Sequence, residues 1–348
     1  MDLNLSDEQQ QLVDSFGALY AKDSPTERVR AAEPSGHDPE LWLRLQENGA
    51  LEMAVDERAG GWGASLLDLA LVAEQHGRYL GSAPLIESQA AARLLGRLGP
   101  DSTGARLLEP ALAGARLVTL ALRPPAGGVL PLVPAGAIAD DVVFFDGTSL
   151  RHIALEGERR TVSTIASLPM ADIEMPASTT ELVSGAEAIG AFDEALNEWM
   201  ILMAGALVGM AARAIEIGVE YVKERKAFGV PIGSFQAVSH GFADAATALS
   251  GATLLAREAA WSAEVVPARA PELGPLAFGF CTESARESSY RSLHSHGGYG
   301  FMLEYDIQLY FRRARGWPAQ FAEPDAAFAM AAARRLAARN AAGPEGEV

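Results

Sequence analysis

The sequence predicts a mainly α-helical protein with a small β domain between two helical ones, and three observations carry that prediction. Residues 1 to about 112 place apolar side chains at helical spacing. Between about 116 and 180 the pattern changes to short apolar or alternating runs punctuated by glycine and proline. From about 187 onward the helical pattern returns and lengthens, with no proline from Gly190 to Lys226. The expected division is 1–115 (α-helical), 116–183 (a shortened β domain) and 184–348 (a helical bundle).

The elements follow in order. Ser6 with Gln9 three residues later reads as a capping box ahead of Leu12, Val13, Phe16, Leu19 and Tyr20 on one face. Asp38-Pro39 starts the next helix, with proline where a missing N–H costs nothing. Leu41, Trp42 and Leu45 form its apolar stripe and Gly49 its stop. The loop Gly60-Gly61-Trp62-Gly63 leads into a helix carrying Leu66, Leu69, Ala70, Val72, Ala73 and His76, and another helix runs from about Pro84 to Gly99-Pro100. Residues 117–122, 141–145 and 150–155 read as strands, while Pro124, Pro125 and Pro131 confine their stretch to a loop or a sheet edge. The long stretch with Leu202, Ala206, Gly209, Met210, Ala214 and Val219 is followed by helices over 234–266, 272–296, 303–316 and 324–341. The acidic tail 343–348 is expected to fray.

Of 348 residues, 28 are basic and 45 acidic, a net charge of −17, which argues against nonspecific nucleic-acid or anionic-membrane binding. The composition, 49% hydrophobic and 21% charged, suits a globular protein with a large core. Cys281 is the single cysteine, so no disulfide forms within the chain, and its apolar surroundings make it a small core residue. No basic or apolar leader opens the sequence, and no run approaches the ~18 apolar residues that span a bilayer. A cytoplasmic protein is the expectation.

Two segments carry the chemistry. Glu224-Arg225-Lys226-Ala227-Phe228-Gly229-Val230-Pro231-Ile232-Gly233-Ser234-Phe235-Gln236 joins one long helical pattern to the next. Arg225 is a fork donor suited to a pyrophosphate, Phe228-Gly229 lets a ring and bare backbone approach a flat ligand, and Gln236 both donates and accepts. About sixty residues later comes His294-Ser295-His296-Gly297-Gly298-Tyr299-Gly300, a glycine-rich turn between helical runs. Arg225 has an alternative reading as a helix-end ion pair with Glu224 or Glu220, and Gly297-Gly298 as an ordinary turn. His296 reads as structural, and His240 as either helix packing or a neighbour of a ligand.

Together these segments resemble the acyl-CoA dehydrogenase family, whose pattern is R-x-x-F-G-x-x-x-x-x-x-F-Q followed by a turn built on H-G-G-x-G. The helical, β, helical-bundle plan extends the resemblance over essentially the whole chain. It implies FAD, bound between subunits of a dimer of dimers, and no metal. It also implies a glutamate that takes the proton α to a thioester carbonyl while the β hydrogen leaves as hydride to the flavin. Arg225, Phe228, Gln236, His294, Gly297 and Gly298 match the positions that hold the adenosine and pyrophosphate half of an FAD whose ring lies largely in the neighbouring subunit. His294 stands where many members have glutamine.

The resemblance breaks in two places. The loop Arg123-Pro124-Pro125-Ala126-Gly127-Gly128 lacks the acidic and hydroxyl residues that contact the flavin ring in the family, and no tryptophan lies between 63 and 198. The place of the catalytic glutamate holds Phe321 by one family alignment and Trp199 by another, with Glu323 and Glu198 the nearest acids. Glu323 alternatively caps a helix that begins at Pro324, and Glu198 alternatively lies on a solvated face. The leading expectation is one subunit of a two-chain acyl-CoA dehydrogenase, converting an acyl-CoA to its 2,3-enoyl-CoA and passing electrons to an electron-transfer flavoprotein. Unlike-chain members are associated with bulky acyl groups such as steroid side chains. The alternatives are a self-sufficient homotetramer using Glu323 or Glu198, a flavin oxidase or monooxygenase, and a scaffold that binds no flavin.

Overall fold

The computed structural model describes residues 4–342; the acidic tail lies outside the described residues. Along the chain run α1 (Asp7–Asp23), α2 (Thr26–Ala32), α3 (Pro39–Glu47), α4 (Leu66–Arg78), α5 (Leu85–Arg97) and α6 (Thr103–Leu112). Seven strands follow: β1 (Val118–Leu120), β2 (Val129–Val133), β3 (Asp141–Phe145), β4 (Ser149–Ala154), β5 (Arg160–Val162), β6 (Met170–Glu174) and β7 (Thr180–Ser184). Then come α7 (Gly185–Glu224), a hairpin of β8 (Lys226–Ala227) and β9 (Val230–Pro231), α8 (Gln236–Val265), α9 (Ala270–Ser295), α10 (Ile307–Gly316) and α11 (Pro324–Ala342). The chain divides into two compact units, one of residues 1–26, 70–81 and 200–348 and one of 27–69 and 82–199.

In the second unit the strands form two sheets. One has the order β1-β3-β4-β7, with β1 parallel to β3 and the other pairs antiparallel; the other is antiparallel with the order β2-β6-β5. Pro131 falls in β2, an edge strand, where its missing N–H breaks no inner ladder. Leu130, Val133, Val142, Phe144, Ile153 and Ile173 form the buried cluster of this region. At the start of α3, Asp38 accepts from the Glu40 and Leu41 amides at 3.1 Å and places Pro39 in the first turn.

The first unit opens on the capping box at α1: the Gln9 amide donates to Ser6 Oγ at 3.2 Å, and the Ser6 amide to Gln9 Oε1 at 3.1 Å. Its core is tight because α4 and α7 meet backbone to backbone. A Cβ on Gly77 would lie 1.8 Å from the Ala206 carbonyl oxygen, and one on Gly209 1.8 Å from that of Glu74. One expectation from the sequence needs correction here. Helix α7 does hold an 18-residue window of mean hydropathy 1.7, long and apolar enough to cross a membrane. However, 72% of that window is buried within the protein, and Met200, Ile201, Leu202 and Leu207 are fully enclosed. A helix apolar on every side belongs in a core, which is where α7 runs. Cys281 is buried as expected, donating to the Ala252 carbonyl at 3.5 Å, with burial pushing its thiol pKa up.

Candidate functional site

Helix α7 ends at Glu224, and the next residues fold into the small hairpin β8–β9, whose two-residue turn is Phe228-Gly229. Both turn residues have positive φ, 53° and 83°, as the tight hairpin turn demands. Glycine takes that conformation freely; for phenylalanine it is strained, by roughly 1–3 kcal/mol. The strain does not serve local packing, because Phe228 is 97% exposed and touches Phe235 only edge-on, at 6.2 Å between ring centroids. The Ile232 amide donates to the Arg225 carbonyl at 2.8 Å and closes the hairpin base, while Gln236 opens α8 with an exposed side chain.

Arg225 is exposed, and its guanidinium makes no hydrogen bond or ion pair among the described residues. The alternative helix-end pairing is not formed: Glu220 is engaged by Arg213 at 3.4 Å instead. A free fork, a bare ring and an amide therefore stand together at one helix junction.

The second segment lies against the same junction. The His296 ring stacks on Tyr221, one turn before Arg225, with centroids 3.9 Å apart and planes within 22°. Its Nδ1–H donates to the Ser292 carbonyl at 2.7 Å. Buried and so bonded, His296 has its pKa lowered by desolvation and serves as the peg that fixes the turn. Phe242 of α8 and Ser292 of α9 close against Gly218 of α7, so the ends of three helices converge. Beyond them His294, Gly297 and Gly298 are exposed, His294 beside Tyr290 at 5.7 Å. His240 is exposed as well, so it does not pack within the chain. The Tyr221–His296 stack is absent from the sequence reading; the one signal for it was an aromatic residue one turn ahead of Arg225.

These donors fit the nucleotide half of an FAD: a guanidinium for the pyrophosphate, a ring for the adenine, and glycines that leave backbone amides uncovered. The loop expected to face a flavin ring offers less. Ala126 bridges to Val129 around Gly127-Gly128, an exposed turn with no acidic or hydroxyl side chain.

Neither candidate base is a free carboxylate. Glu198 is only 4% exposed, and its oxygens accept from Arg93 Nε at 2.9 Å and from both Arg97 Nη nitrogens at 2.8 Å. Burial pushes its pKa up, but Arg97 and then Arg93 override that and hold it at about 2. The solvated face expected for Glu198 is thus replaced by a buried ion triad, and a carboxylate so held is a poor proton acceptor. The signal in the sequence was Arg93 and Arg97, four residues apart on one helix face. Glu323 stands just before α11, and its side chain bonds Arg286 at 2.5 and 3.1 Å rather than capping the helix. That hydrogen bond lowers its pKa as well.

Comparison with known proteins gives the family. Residues 6–115 match the model of the acyl-CoA dehydrogenase N-terminal domain, and residues 189–319 that of the C-terminal domain. The chain is 31% identical over 316 residues to acyl-CoA dehydrogenase IpdE2 of Mycolicibacterium smegmatis, covering 90% of this chain and 94% of that protein. Its fold is similar to that of a Tcur3481-Tcur3483 steroid ACAD variant, with a TM-score of 0.86 at 24% identity over 97% of this chain and 99% of the other. It is also similar to a chain of the ChsE4-ChsE5 complex from Mycobacterium tuberculosis, with a TM-score of 0.84 at 23% identity over 99% and 100%. The helical and β layout matches that of the family's solved structures. The chain belongs to the acyl-CoA dehydrogenase family, the FAD flavoproteins that oxidise acyl-CoA thioesters.

Proposed function

We propose that this chain is one subunit of an acyl-CoA dehydrogenase built from two unlike chains. In that assembly Arg225, Phe228, Gln236, His294, Gly297 and Gly298 hold the adenosine and pyrophosphate half of an FAD, and the flavin ring and catalytic glutamate belong to the partner subunit. The assembly carries out α,β-dehydrogenation of an acyl-CoA to its 2,3-enoyl-CoA and hands electrons to an electron-transfer flavoprotein. When bound, FAD supplies the two-electron acceptor; this chain's own residues bind and orient it. The division at 115 and 183 into helical, β and helical-bundle domains goes with this reading.

The observation that carries the proposal is the state of Glu198. The acid nearest one family position for the base is buried between two guanidiniums, with a pKa of about 2. A base for the α proton needs the opposite, a carboxylate raised toward the working pH by an apolar site. Support for the two-chain form comes from the similarity to a structure described as a complex of two named chains. A steroid-like acyl group is supported by the neighbour described as a steroid ACAD.

Purifying the chain alone, and separately with a co-expressed partner, tests this by flavin absorbance. A colourless lone chain and a yellow complex that bleaches with acyl-CoA are expected. A yellow homotetramer that bleaches on its own would overturn the proposal in favour of a self-sufficient enzyme. A complex whose flavin content ignores Arg225→Ala would favour a scaffold, and oxygen consumption without an electron-transfer partner an oxidase.

A further inference from the structure

We infer that the first unit holds a second site, a cavity of about 310 Å³ built to bind a small monocarboxylate with a flat or apolar body. Four segments line it: the end of α1 with the following loop, the end of α4, the last third of α7 and the start of α10. None of the residues assigned above to the nucleotide lines it. Ile217, a lining residue on α7, lies two helical turns before Arg225, roughly 12 Å at the rise of an α-helix. Its volume sits at the lower end for metabolite pockets, too small for a CoA thioester or a dinucleotide.

The walls are fixed before any ligand arrives. Tyr310 donates its hydroxyl to the Arg78 carbonyl at 2.8 Å. Arg78 clamps Glu216 with both Nη nitrogens, at 2.8 and 2.7 Å. Tyr79 stacks on Tyr20 with planes within 9° and centroids 6.2 Å apart, giving the cavity a flat wall. Such preorganisation lowers the ordering cost of binding.

The recognition element is Arg213. Its Nη1 carries both of its ion pairs, to Glu216 at 3.0 Å and to Glu220 at 3.4 Å. The Nε–Nη2 edge makes no hydrogen bond among the described residues, and that edge takes the two oxygens of a carboxylate. The hydroxyls of Ser24 and Thr26 stand along the same cavity. Charge selects between anions. Arg78 and Arg213 are set against the carboxylates of Glu216, Glu220 and Asp306, so no surplus positive charge is present and a phosphate dianion is repelled more strongly than a single carboxylate. Ile217, Pro25 and the two tyrosine rings supply the apolar contact for the body of the ligand.

Calorimetric titration of the full chain with 4-hydroxybenzoate tests the site, with inorganic phosphate and benzyl alcohol as comparators. Saturable binding of the carboxylate is expected, at least about tenfold tighter than either comparator. Arg213→Gln should weaken it by about tenfold or more, and Glu220→Gln, which removes one of the two carboxylates on Arg213, should strengthen it. Ile217→Trp fills the cavity without changing charge; it should abolish binding while leaving thermal melting and the flavin content of the complex unchanged. Three results would overturn the inference: no saturable binding up to about 10 mM, phosphate binding as tight as the carboxylate, or binding that survives Ile217→Trp or Arg213→Gln.

Discussion

Glu198 lies within α7 and Arg225 directly follows its last residue, and the two are treated in opposite ways. Glu198 is enclosed, and both its oxygens are occupied by guanidiniums. Arg225 is open, and no side chain among the described residues answers its charge. The difference teaches how to sort charged residues in this chain. A buried charge whose partners saturate it is committed to the fold, because removing it leaves those partners uncompensated. An exposed guanidinium beside a strained, fully exposed Phe228 does nothing for the chain's own stability and is explained by something that arrives later.

The largest effect that tests this contrast is on stability. Glu198→Ala strips the partly exposed Arg93 and Arg97 of their buried carboxylate partner and should destabilise the chain by about 3 kcal/mol in denaturant melts. The triad also sets a pH window. The carboxyl's folded pKa lies below its unfolded one, 4.5 against about 2, so its stabilisation is complete above 4.5 and is lost as pH falls through about 2. Acid melts of the wild type and Glu198→Gln should converge in that range; curves that stay parallel would break the contrast.

Arg225→Ala should do the reverse. The melt of the chain without flavin should stay within about 0.5 kcal/mol of wild type. The complex should lose about 1.5–3 kcal/mol of FAD affinity, the usual worth of a charged hydrogen bond, read by equilibrium dialysis.

Phe228→Gly sharpens the point, since the two readouts should move in opposite directions. Relief of the positive φ should stabilise the isolated chain by about 1 kcal/mol while FAD retention falls. A destabilised chain would mean that the ring packs within its own fold. Smallest of all, Glu323→Gln breaks an exposed ion pair, with Glu323 63% exposed, and should shift stability by no more than about 0.5 kcal/mol.

Much of this was legible in the sequence, for physical reasons. The long helices announce themselves because one buried face repeats over many turns, as in α1 with its capping box and α3 with Asp38-Pro39. Strands β3 and β4 are legible because their inner residues are apolar. By contrast β5 and β7 have no fully buried position, so no apolar alternation marks them, and they exist through pairing with β6 and β4. Helix α2 is seven residues long, too short to show a period. At the candidate site Arg225, Phe228 and the glycine turn are visible because their spacing is fixed by local backbone. The binding of Glu198 by Arg93 and Arg97 is not visible, because its partners come from a helix about a hundred residues earlier, and only the fold brings them into contact.

The central claim is that this subunit contributes no proton-abstracting carboxylate. Stopped-flow bleaching of the flavin by acyl-CoA, without oxygen, tests it in the two-chain complex carrying Glu198→Gln and Glu323→Gln here, with rates counted per folded, FAD-loaded complex. The account predicts a rate equal to that of the unsubstituted complex. A rate lowered by about 10²–10⁴-fold, the usual contribution of a general base, would contradict it.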